Sequence, residues 1–477
     1  MRPSRPLILA VCATLACATN PATGAKELML ISESQEIAMG QGYDKDVLAS
    51  VGLYGDTALQ RWIQQFGLQL AAKSERPNLP WTFHVVDDPA VNAFAIPGGY
   101  IYVTRGILAY LNSEAELAAV VGHEIGHVTA RHSVSQMSKQ QLAQVGLAIG
   151  SIASPDFERY AGLTNAGLRV LFLKFSRDNE SQADHLGLRY MRRADYDARE
   201  MPHVFEMLTR VSETQGGGRV PEWLATHPNP ENRRGRIEQE IASGPQTFAG
   251  AVVNRDAYLR RLEGLVYGDD PREGYFKGSV FLHPGLRFRL TFPDGWTTSN
   301  GRQSVVAVSP QKDAAVEFAP ATEPTADAAA RAFLSQQGVT SGYPARTSVG
   351  GLPAVSAAFA AATDNGSLRG SALFVEYGGA VYRLIGYSSA AGWPAYEPTA
   401  ERSLLSFARL TDPAALGVEP QRVTIVRTER RTTIADLARQ RPSPLTPATL
   451  ALINQVEPDT PIEADRLVKW VVGTPPP

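Results

Sequence analysis

Cysteine is scarce in this chain, and its scarcity sets the first limit on what the protein can be. Two cysteines occur among 477 residues, at positions 12 and 17, so a disulfide scaffold is excluded. Basic residues are not in excess, because 46 Lys and Arg face 48 Asp and Glu. The net charge of −2 and the lack of any basic run exclude a nucleic-acid partner. Hydrophobic residues make up 44%, which is typical of soluble globular proteins with several domains.

A long hydrophobic run is also missing. After two arginines, the apolar stretch Leu7–Ala16 has about half of the ~20 residues that span a bilayer, which predicts an export signal. Ala13–Cys17 resembles a bacterial lipobox, although leucine is usual where Thr14 stands. On this resemblance Cys17 is lipidated and becomes the mature N-terminus, and Ala18 after it favours the outer membrane. Ordinary signal cleavage nearby is the alternative.

The residues that carry chemistry lie on one predicted helix. Ser113 followed by Glu116 is a capping box that starts this helix. His123 and His127 are four residues apart, so they project from one face and can hold one zinc ion. Glu124 beside them is placed to take a proton from zinc-bound water. A pair of surface histidines on a polar helix face is the competing interpretation.

A zinc site needs a third protein ligand and an open position. The metzincin pattern is excluded, because Ala130 and Ser133 stand where it requires glycine and histidine. His132 lies nine residues after His123, which is half a turn away on a continuous helix. A structural or solvent-facing role is therefore expected for His132.

A second predicted helix offers the third ligand. Glu180 and Asp184 are four residues apart and share one face of it. Glu180 would ligate zinc, and Asp184 would accept the free N–H of a zinc-bound histidine and fix its tautomer. The alternative is an exposed acidic helix start, which the helix dipole would favour.

These residues together resemble the HtpX/BepA-like gluzincin zinc metallopeptidases, in the same superfamily as the CAAX prenyl endopeptidases. The resemblance covers roughly positions 17 to 265 and rests on His123–His127, Phe175–Arg177, Glu180 and Asn92–Gly99. It implies one zinc ion per chain, endopeptidase activity and a role in the bacterial envelope. The multi-span membrane helices of HtpX are absent, so the periplasmic lipoprotein subgroup fits better.

The same resemblance brings a third histidine to the predicted site. His227, followed by Pro228, and Arg233 six residues later match a His-Pro and Arg pattern of the family. Proline favours an extended conformation at His227, which would present the ring from a loop. His227 is expected either to fill the fourth position on zinc and keep the enzyme latent, or to donate to the oxyanion. Arg233 would supply positive charge or orient the loop. An exposed histidine in a polar loop is the alternative.

Two segments near the predicted His-Glu-x-x-His helix each allow two interpretations. Asn92–Gly99 ends in Pro97-Gly98-Gly99, which would leave a sheet edge free to pair with an extended substrate, or would be a simple turn. Leu142–Leu173 is apolar but interrupted. It predicts either a lid helix pair over the cleft or a buried core pair.

The pattern changes after about Gly274 to short alternating strands. The start of this region resembles PsbP-like domains, and the C-terminal unit resembles a degenerate LysM peptidoglycan-binding repeat, with Asp465 in place of a usual glycine. The expected fold class is multidomain: a mostly α (α+β) gluzincin domain, an α+β antiparallel-sheet domain and a small βααβ unit. The predicted limits are 1–17 for the signal peptide with lipobox, 18–268 for the metallopeptidase, 274–412 for the PsbP-like domain and 418–473 for the LysM-like unit.

The function predicted from these patterns is a zinc-dependent endopeptidase of the periplasm, anchored to the outer membrane as a lipoprotein. Its expected substrates are misfolded or envelope proteins, so its role would be protein quality control. The expected partners also include the membrane, through the lipid anchor, and peptidoglycan. The alternative is a zinc-stabilised chaperone or assembly factor with little proteolysis, but the intact Glu124 favours the enzyme.

Overall fold

The computed structural model describes residues 17–146, 175–214, 223, 227, 230–244, 248–341, 343–363 and 366–474. The predicted signal peptide before Cys17 and most of the predicted lid segment lie outside the described residues. The chain divides into one compact unit of Met1–Asp269 with Gln421–Gly473, and a second of Asp270–Pro420 with Thr474–Pro477. Among the helices of the described residues, none combines the length and the apolar character needed to cross a membrane.

Helices and strands are numbered along the whole chain. The helices are α1 (Glu33–Ser50), α2 (Thr57–Ala71), α3 (Arg105–Tyr110), α4 (Glu114–Thr129), α5 (His132–Gly146), α6 (Arg177–Arg193), α7 (Met201–Thr214), α8 (Pro230–Ser243), α9 (Arg255–Arg261), α10 (Ala326–Leu334), α11 (Trp393–Leu404), α12 (Pro413–Leu416), α13 (Ile434–Gln440) and α14 (Pro447–Ile453). The strands are β1 (Cys17–Thr19), β2 (Lys26–Leu28), β3 (Thr82–Val86), β4 (Ala93–Ile96), β5 (Tyr100–Thr104), β6 (Tyr275–Lys277), β7 (Val280–His283), β8 (Phe288–Thr291), β9 (Thr297–Asn300), β10 (Val305–Val308), β11 (Ala314–Ala321), β12 (Val339–Ser341), β13 (Ala345–Val349), β14 (Leu352–Thr363), β15 (Gly366–Tyr377), β16 (Ala380–Ser389), β17 (Ala408–Arg409), β18 (Arg422–Arg427) and β19 (Leu467–Val472).

A small sheet and the helix α4 form the centre of the first unit. The strand order is β3-β5-β4, with β3 parallel and β4 antiparallel to β5. All five residues of β5 are buried, as expected for a central strand. Every residue of α4 is buried too. A helix buried on all sides is positioned by its neighbours, so its side chains have little freedom to move.

The segment Pro97–Gly99 makes the tight connection between β4 and β5. Gly98 and Gly99 have φ angles of +89° and +100°, a region that favours glycine. A Cβ on Gly98 would also meet the backbone oxygen of Glu36 at 3.0 Å. The turn interpretation of these residues is therefore the one observed. One edge of the sheet is β4 itself, which pairs with β5 on one side only among the described residues.

The second unit is built from antiparallel strands and two packing helices, as the alternating pattern predicted. Its larger sheet has the order β12-β14-β15-β16-β11-β10-β9, with β13 also paired to β14, and the smaller sheet has the order β17-β8-β7-β6. Successive residues of β15 point to opposite faces. Phe374 accordingly packs with Phe333 of α10, whereas Leu373 shares a core with Leu404 of α11.

The C-terminal segment belongs to the first unit and shares its hydrophobic core. Its order β18-α13-α14-β19 is the predicted βααβ order, and β18 pairs antiparallel with β19. Lys469 of β19 is 0% exposed, and its Nζ donates to the carbonyl oxygens of Ala109 and Leu111, each at 2.7 Å. Asn454 is buried and bonds the Lys469 backbone in both directions at 2.8 Å. Peptidoglycan binding by this segment stays a prediction.

The same segment completes the start of α4. Ser113 Oγ accepts from the backbone N of Glu116 at 3.0 Å, which is one half of the predicted capping box. The other half differs, because the Glu116 carboxylate accepts from the backbone N of Asn112 at 2.6 Å and from Gln455 Nε2 at 2.8 Å. Burial raises the pKa of Glu116 to about 7, against these hydrogen bonds and the charge of Lys469, which lower it.

Replacing Lys469 by methionine should therefore destabilise the whole first unit. Lys469→Met keeps the side-chain length but leaves two buried carbonyl oxygens without their donor. We expect the free energy of unfolding to fall by about 3–5 kcal/mol, the usual cost of removing one partner of a buried charged group. Chemical denaturation followed by tryptophan fluorescence measures this. The exposed Lys45 provides the control, since Lys45→Met should change stability by less than about 0.5 kcal/mol. Equal midpoints for the two variants would contradict the docking role of Lys469.

Candidate metal centre

Two helices that meet along glycine residues hold the site. A Cβ on Gly187 of α6 would lie 2.9 Å from the backbone N of His123, and a Cβ on Gly126 of α4 would lie 3.0 Å from the Ala183 oxygen. Side chains at these positions would push the helices apart. Close packing thus accounts for glycine in the middle of α4, where it costs about 0.5–1 kcal/mol relative to alanine. The short distance between the helices brings Glu180 of α6 to the histidines of α4.

Four ligand-type side chains converge between these helices. His123, His127, Glu180 and His227 each offer one atom, and these atoms lie within 4.8 Å of one another. His123 Nε2 is 3.0 Å from His127 Nε2 and 3.2 Å from His227 Nδ1. Glu180 Oε1 is 2.9 Å from His227 Nδ1 and 3.4 Å from His127 Nε2. All four residues are at most 2% exposed, so the surface-histidine interpretation is wrong for this helix.

These distances fit a single tetrahedral metal ion. Ligand atoms held ~2.0–2.1 Å from zinc at the corners of a tetrahedron are ~3.3 Å apart, and the four separations scatter around that value. Facing imidazole nitrogens cannot all donate to one another, so a cation between their lone pairs explains the arrangement better than hydrogen bonds do. Three nitrogens and one carboxylate oxygen suit zinc, whereas magnesium and calcium prefer oxygen ligands. The residues present therefore fit one zinc ion.

Glu124 lies beside this group with an oxygen that is not engaged. Its carboxylate is buried, and Oε1 has no hydrogen-bond partner among the described residues. His227 Nε2 lies 3.7 Å from the same oxygen. Burial raises the pKa of Glu124 to about 7, while the nearby His227 lowers it. A buried acceptor without a partner is rare outside functional sites, and this one faces the cluster.

Asp184 and Arg233 surround the ligands with a second set of contacts. Asp184 Oδ1 is 2.9 Å from His123 Nδ1, the nitrogen on the far side of the ring from the cluster. Arg233 donates to both Asp184 oxygens, at 2.8 and 2.5 Å. Its Nη1 lies 2.9 Å from Glu180 Oε2 as an ion-pair contact. Burial raises the pKa of Asp184, but Arg233 lowers it further, so the carboxylate stays ionised.

Burial and aromatic contacts fix the position of the Arg233 guanidinium. It is buried, and its guanidinium carbon lies 4.6 Å from the ring centroid of Trp223 and 4.9 Å from that of Phe205. The His227 ring stacks on the ring of Trp223, with centroids 4.9 Å apart. Because Glu180 and Asp184 are both buried around this arginine, the alternative of an exposed acidic helix start is wrong.

His132 is the residue that spacing arguments missed. The helix α4 ends at Thr129, and Arg131 has a φ of 58°, so the chain turns back instead of continuing the helix. His132 is 1% exposed, with Nδ1 2.9 Å from His127 Nδ1 and Nε2 2.6 Å from Gln182 Oε1. Burial lowers its pKa to about 4. Of the two roles expected for His132, the structural one agrees with this burial, and the solvent-facing one is wrong because it assumed an unbroken helix through Arg131.

Some predicted features cannot be placed. Pro228, which motivated the loop at His227, lies outside the described residues, and the side chain of Cys17 does too. The backbone of Cys17 belongs to β1, where it pairs with Leu28. Gln182 was not singled out in the sequence, although it lies between Glu180 and Asp184 on the same helix.

A buried His-Glu-x-x-His helix packed on a second helix with a glutamate ligand and an aspartate defines a gluzincin type of metallopeptidase domain. Residues 57–241 match the family model of peptidase family M48, so the chain carries a peptidase family M48 domain. The predicted gluzincin resemblance is thereby confirmed.

Curated relatives agree with this assignment. The beta-barrel assembly-enhancing protease of Escherichia coli is 34% identical over 224 residues, covering 45% of this chain and 45% of that protein. The mitochondrial metalloendopeptidase OMA1 of Arabidopsis thaliana is 33% identical over 227 residues, covering 43% of this chain and 44% of that protein. The chain spans less than half the length of these relatives.

A solved cyanobacterial PsbP from Synechocystis is 12% identical and aligns with a TM-score of 0.24, covering 28% of this chain and 95% of that one. This score is too low to carry an argument, so the PsbP-like resemblance stays a prediction.

Proposed function

We propose that this protein is a zinc-dependent endopeptidase that hydrolyses peptide bonds in proteins of the bacterial cell envelope. The observation that carries the proposal is the buried group of His123, His127 and Glu180 with the free oxygen of Glu124 beside it. The M48 domain supports the same activity. So do relatives whose names describe a protease and a metalloendopeptidase.

Each residue has a definite part in this chemistry. His123 and His127 from α4 and Glu180 from α6 would hold the ion. Zinc, when bound, supplies a Lewis acid that polarises the scissile carbonyl and activates water. Glu124 takes the proton of the attacking water at its free Oε1 and passes it to the leaving amine. Asp184 keeps His123 in the tautomer that binds metal, and Arg233 keeps Asp184 ionised. The buried, tightly packed setting keeps these groups in place before substrate arrives.

The edge strand β4 is the proposed binding surface for the substrate backbone. This strand packs on α4 and has a ladder partner on one side only among the described residues. An extended peptide could add to it by backbone hydrogen bonds. Binding through the backbone suits an enzyme that acts on unfolded segments of many sequences, because the main chain is common to all of them.

Misfolded and assembling envelope proteins are the proposed substrates. The Escherichia coli relative is named for β-barrel assembly, and the sequence of the first residues favours export. We place the enzyme in the periplasm, held at the outer membrane by a lipid on Cys17. This part of the proposal rests on the lipobox-like sequence and on likeness to the relative.

The substitution Glu124→Gln tests the activity. The amide cannot take a proton, so casein cleavage should be lost while zinc is retained near one ion per chain. Glu180→Ala is the matched variant, because it should lose both zinc and cleavage. Zinc content by mass spectrometry and casein hydrolysis with and without a chelator give the two readouts. If zinc-loaded protein leaves casein intact both as the wild type and as His227→Ala, the chaperone alternative gains support instead. If Glu124→Gln cleaves at the wild-type rate, the proton acceptor is misassigned.

The substitution His227→Ala tests whether the enzyme is latent. His227 Nδ1 lies with the other ligand atoms, so as a fourth ligand it would leave no position open to water. Removing this ring should raise casein cleavage and lower zinc affinity only slightly, because three ligands remain. The exposed His185 supplies the control substitution, His185→Ala, which should change neither. A fall of ~10²–10³-fold in turnover would identify His227 as an oxyanion donor instead. Unchanged cleavage and affinity would place it outside the site.

The substitution Cys17→Ala tests the anchor. A lipidated protein should partition into the detergent phase from cell extracts, because several acyl chains bind a bilayer firmly. The alanine variant should appear in the soluble periplasmic fraction. Identical fractionation of the two forms would remove the lipid anchor from the proposal without affecting the peptidase activity.

A further inference from the structure

Both zinc-site histidines of α4 need a partner on the outer ring nitrogen. A histidine binds metal through a nitrogen that carries a lone pair, so its other nitrogen must carry the proton and donate it. Asp184 accepts that proton from His123 at 2.9 Å. Among the described residues, no carboxylate contacts Nδ1 of His127. Its Nδ1 faces Nδ1 of His132 at 2.9 Å, and two imidazole nitrogens can bond to each other in either direction.

The direction of the hydrogen bond between His127 and His132 is set by Asn20, which is connected to His132 through Gln182. The backbone N–H of Ala22 donates to Asn20 Oδ1 at 2.9 Å. A backbone N–H can only donate, so the oxygen of this amide is fixed there. The nitrogen Nδ2 must then point the other way, where it lies 2.6 Å from Glu27 Oε1 and 3.5 Å from the Gln182 side chain. Asn20 is fully buried, so this orientation is held by its surroundings.

The amide orientation of Asn20 determines that of Gln182, and Gln182 in turn determines the tautomer of His132. Asn20 presents N–H groups, and the Gln182 oxygen faces them at 3.5 Å. That oxygen lies 2.6 Å from His132 Nε2, so this nitrogen is the donor. A neutral His132 with its proton on Nε2 has a lone pair on Nδ1. His127 therefore donates from Nδ1, and its Nε2 keeps the lone pair that faces the ligand group.

We propose that Asn20, Gln182 and His132 form a positioning chain that fixes the metal-binding tautomer of His127. The inference deepens the proposed function and rests on it in one respect, that His127 ligates the ion. The reverse direction would put the proton on Nε2 of His127, between His123 Nε2 and Glu180 Oε1, where a ligand needs a lone pair. The N-terminal segment around β1 and β2 is thereby part of the metal centre.

Substitutions at Gln182 test the positioning chain, because Gln182→Met removes the acceptor, whereas Gln182→Glu keeps an acceptor and adds a negative charge. Gln182→Met has a similar length and no oxygen, so His132 is free to turn over or to change tautomer. Its zinc affinity should fall by ~10–100-fold, as is usual when the partner of a metal ligand is lost. Gln182→Glu keeps an acceptor towards His132 Nε2 and should bind zinc within about threefold of wild type. Competition of the full-length protein with a chromophoric chelator measures both.

A control variant and the stability of the zinc-free proteins distinguish an effect on the orientation of His127 from an effect on packing. The variant His185→Leu removes an exposed histidine of the same helix and should leave zinc affinity unchanged. Thermal unfolding of the zinc-free proteins should be alike for Gln182→Met and Gln182→Glu, since the positioning chain affects the tautomer of His127 and not the stability of the fold. Equal affinities of the Met and Glu variants, whether both wild-type or both weakened, would overturn the proposal. Protein that binds zinc but cleaves no casein, both as the wild type and as His227→Ala, would refute the peptidase activity and leave the positioning chain of Asn20, Gln182 and His132 standing.

A substitution at Asn20 tests whether this residue sets the direction of the hydrogen bonds. Asn20→Asp keeps the oxygen that accepts from Ala22 and replaces the donating nitrogen by another oxygen. Gln182 should then turn its amide nitrogen towards this carboxylate and withdraw the acceptor from His132. Zinc affinity should fall as in Gln182→Met. An unchanged affinity in the same chelator competition would show that the direction is not set at Asn20.

Discussion

The close contact between α4 and α6 is the constraint on which the rest of the site depends. Glycines at the contact let the helix backbones approach to distances that any side chain would prevent. Only at that separation does the Glu180 carboxylate of α6 come within 3.4 Å of His127 Nε2 and within 3.6 Å of His123 Nε2 on α4. The same contact excludes water, so every charge carried into it must be balanced by another buried charge.

That balance points to a divalent cation. Three carboxylates, of Glu124, Glu180 and Asp184, are buried around the ligand group, and the guanidinium of Arg233 is the fixed positive charge that pairs with two of them, Glu180 and Asp184. Two negative charges remain, which one zinc ion would neutralise. Burial lowers the pKa of His227, but the Glu180 carboxylate raises it, and this pKa lies above its usual value. A proton on His227 would thus compensate in part when no metal is bound.

Local patterns in the sequence predicted what is local in the structure. The His-Glu-x-x-His helix, the antiparallel strands of the second unit and the βααβ order of the C-terminal segment follow from helix capping and from the alternation of apolar residues. The role of His132 could not be predicted, because it depends on a left-handed φ at Arg131, which a non-glycine residue seldom adopts. The docking of Lys469 depends on contacts about 360 positions apart in the chain, to which no spacing rule applies.

The two ends of α4 are completed by segments outside the region that matches peptidase family M48, residues 57–241. At its start, the C-terminal segment supplies Gln455 to Glu116 and Lys469 to the carbonyl groups that precede the helix. Beyond its last turn, Asn20 reaches His127 through Gln182 and His132. A fully buried helix cannot shift at one end without moving its ligands at the other, since its interior is close-packed. The functional unit of this peptidase domain therefore includes residues from both ends of the first compact unit.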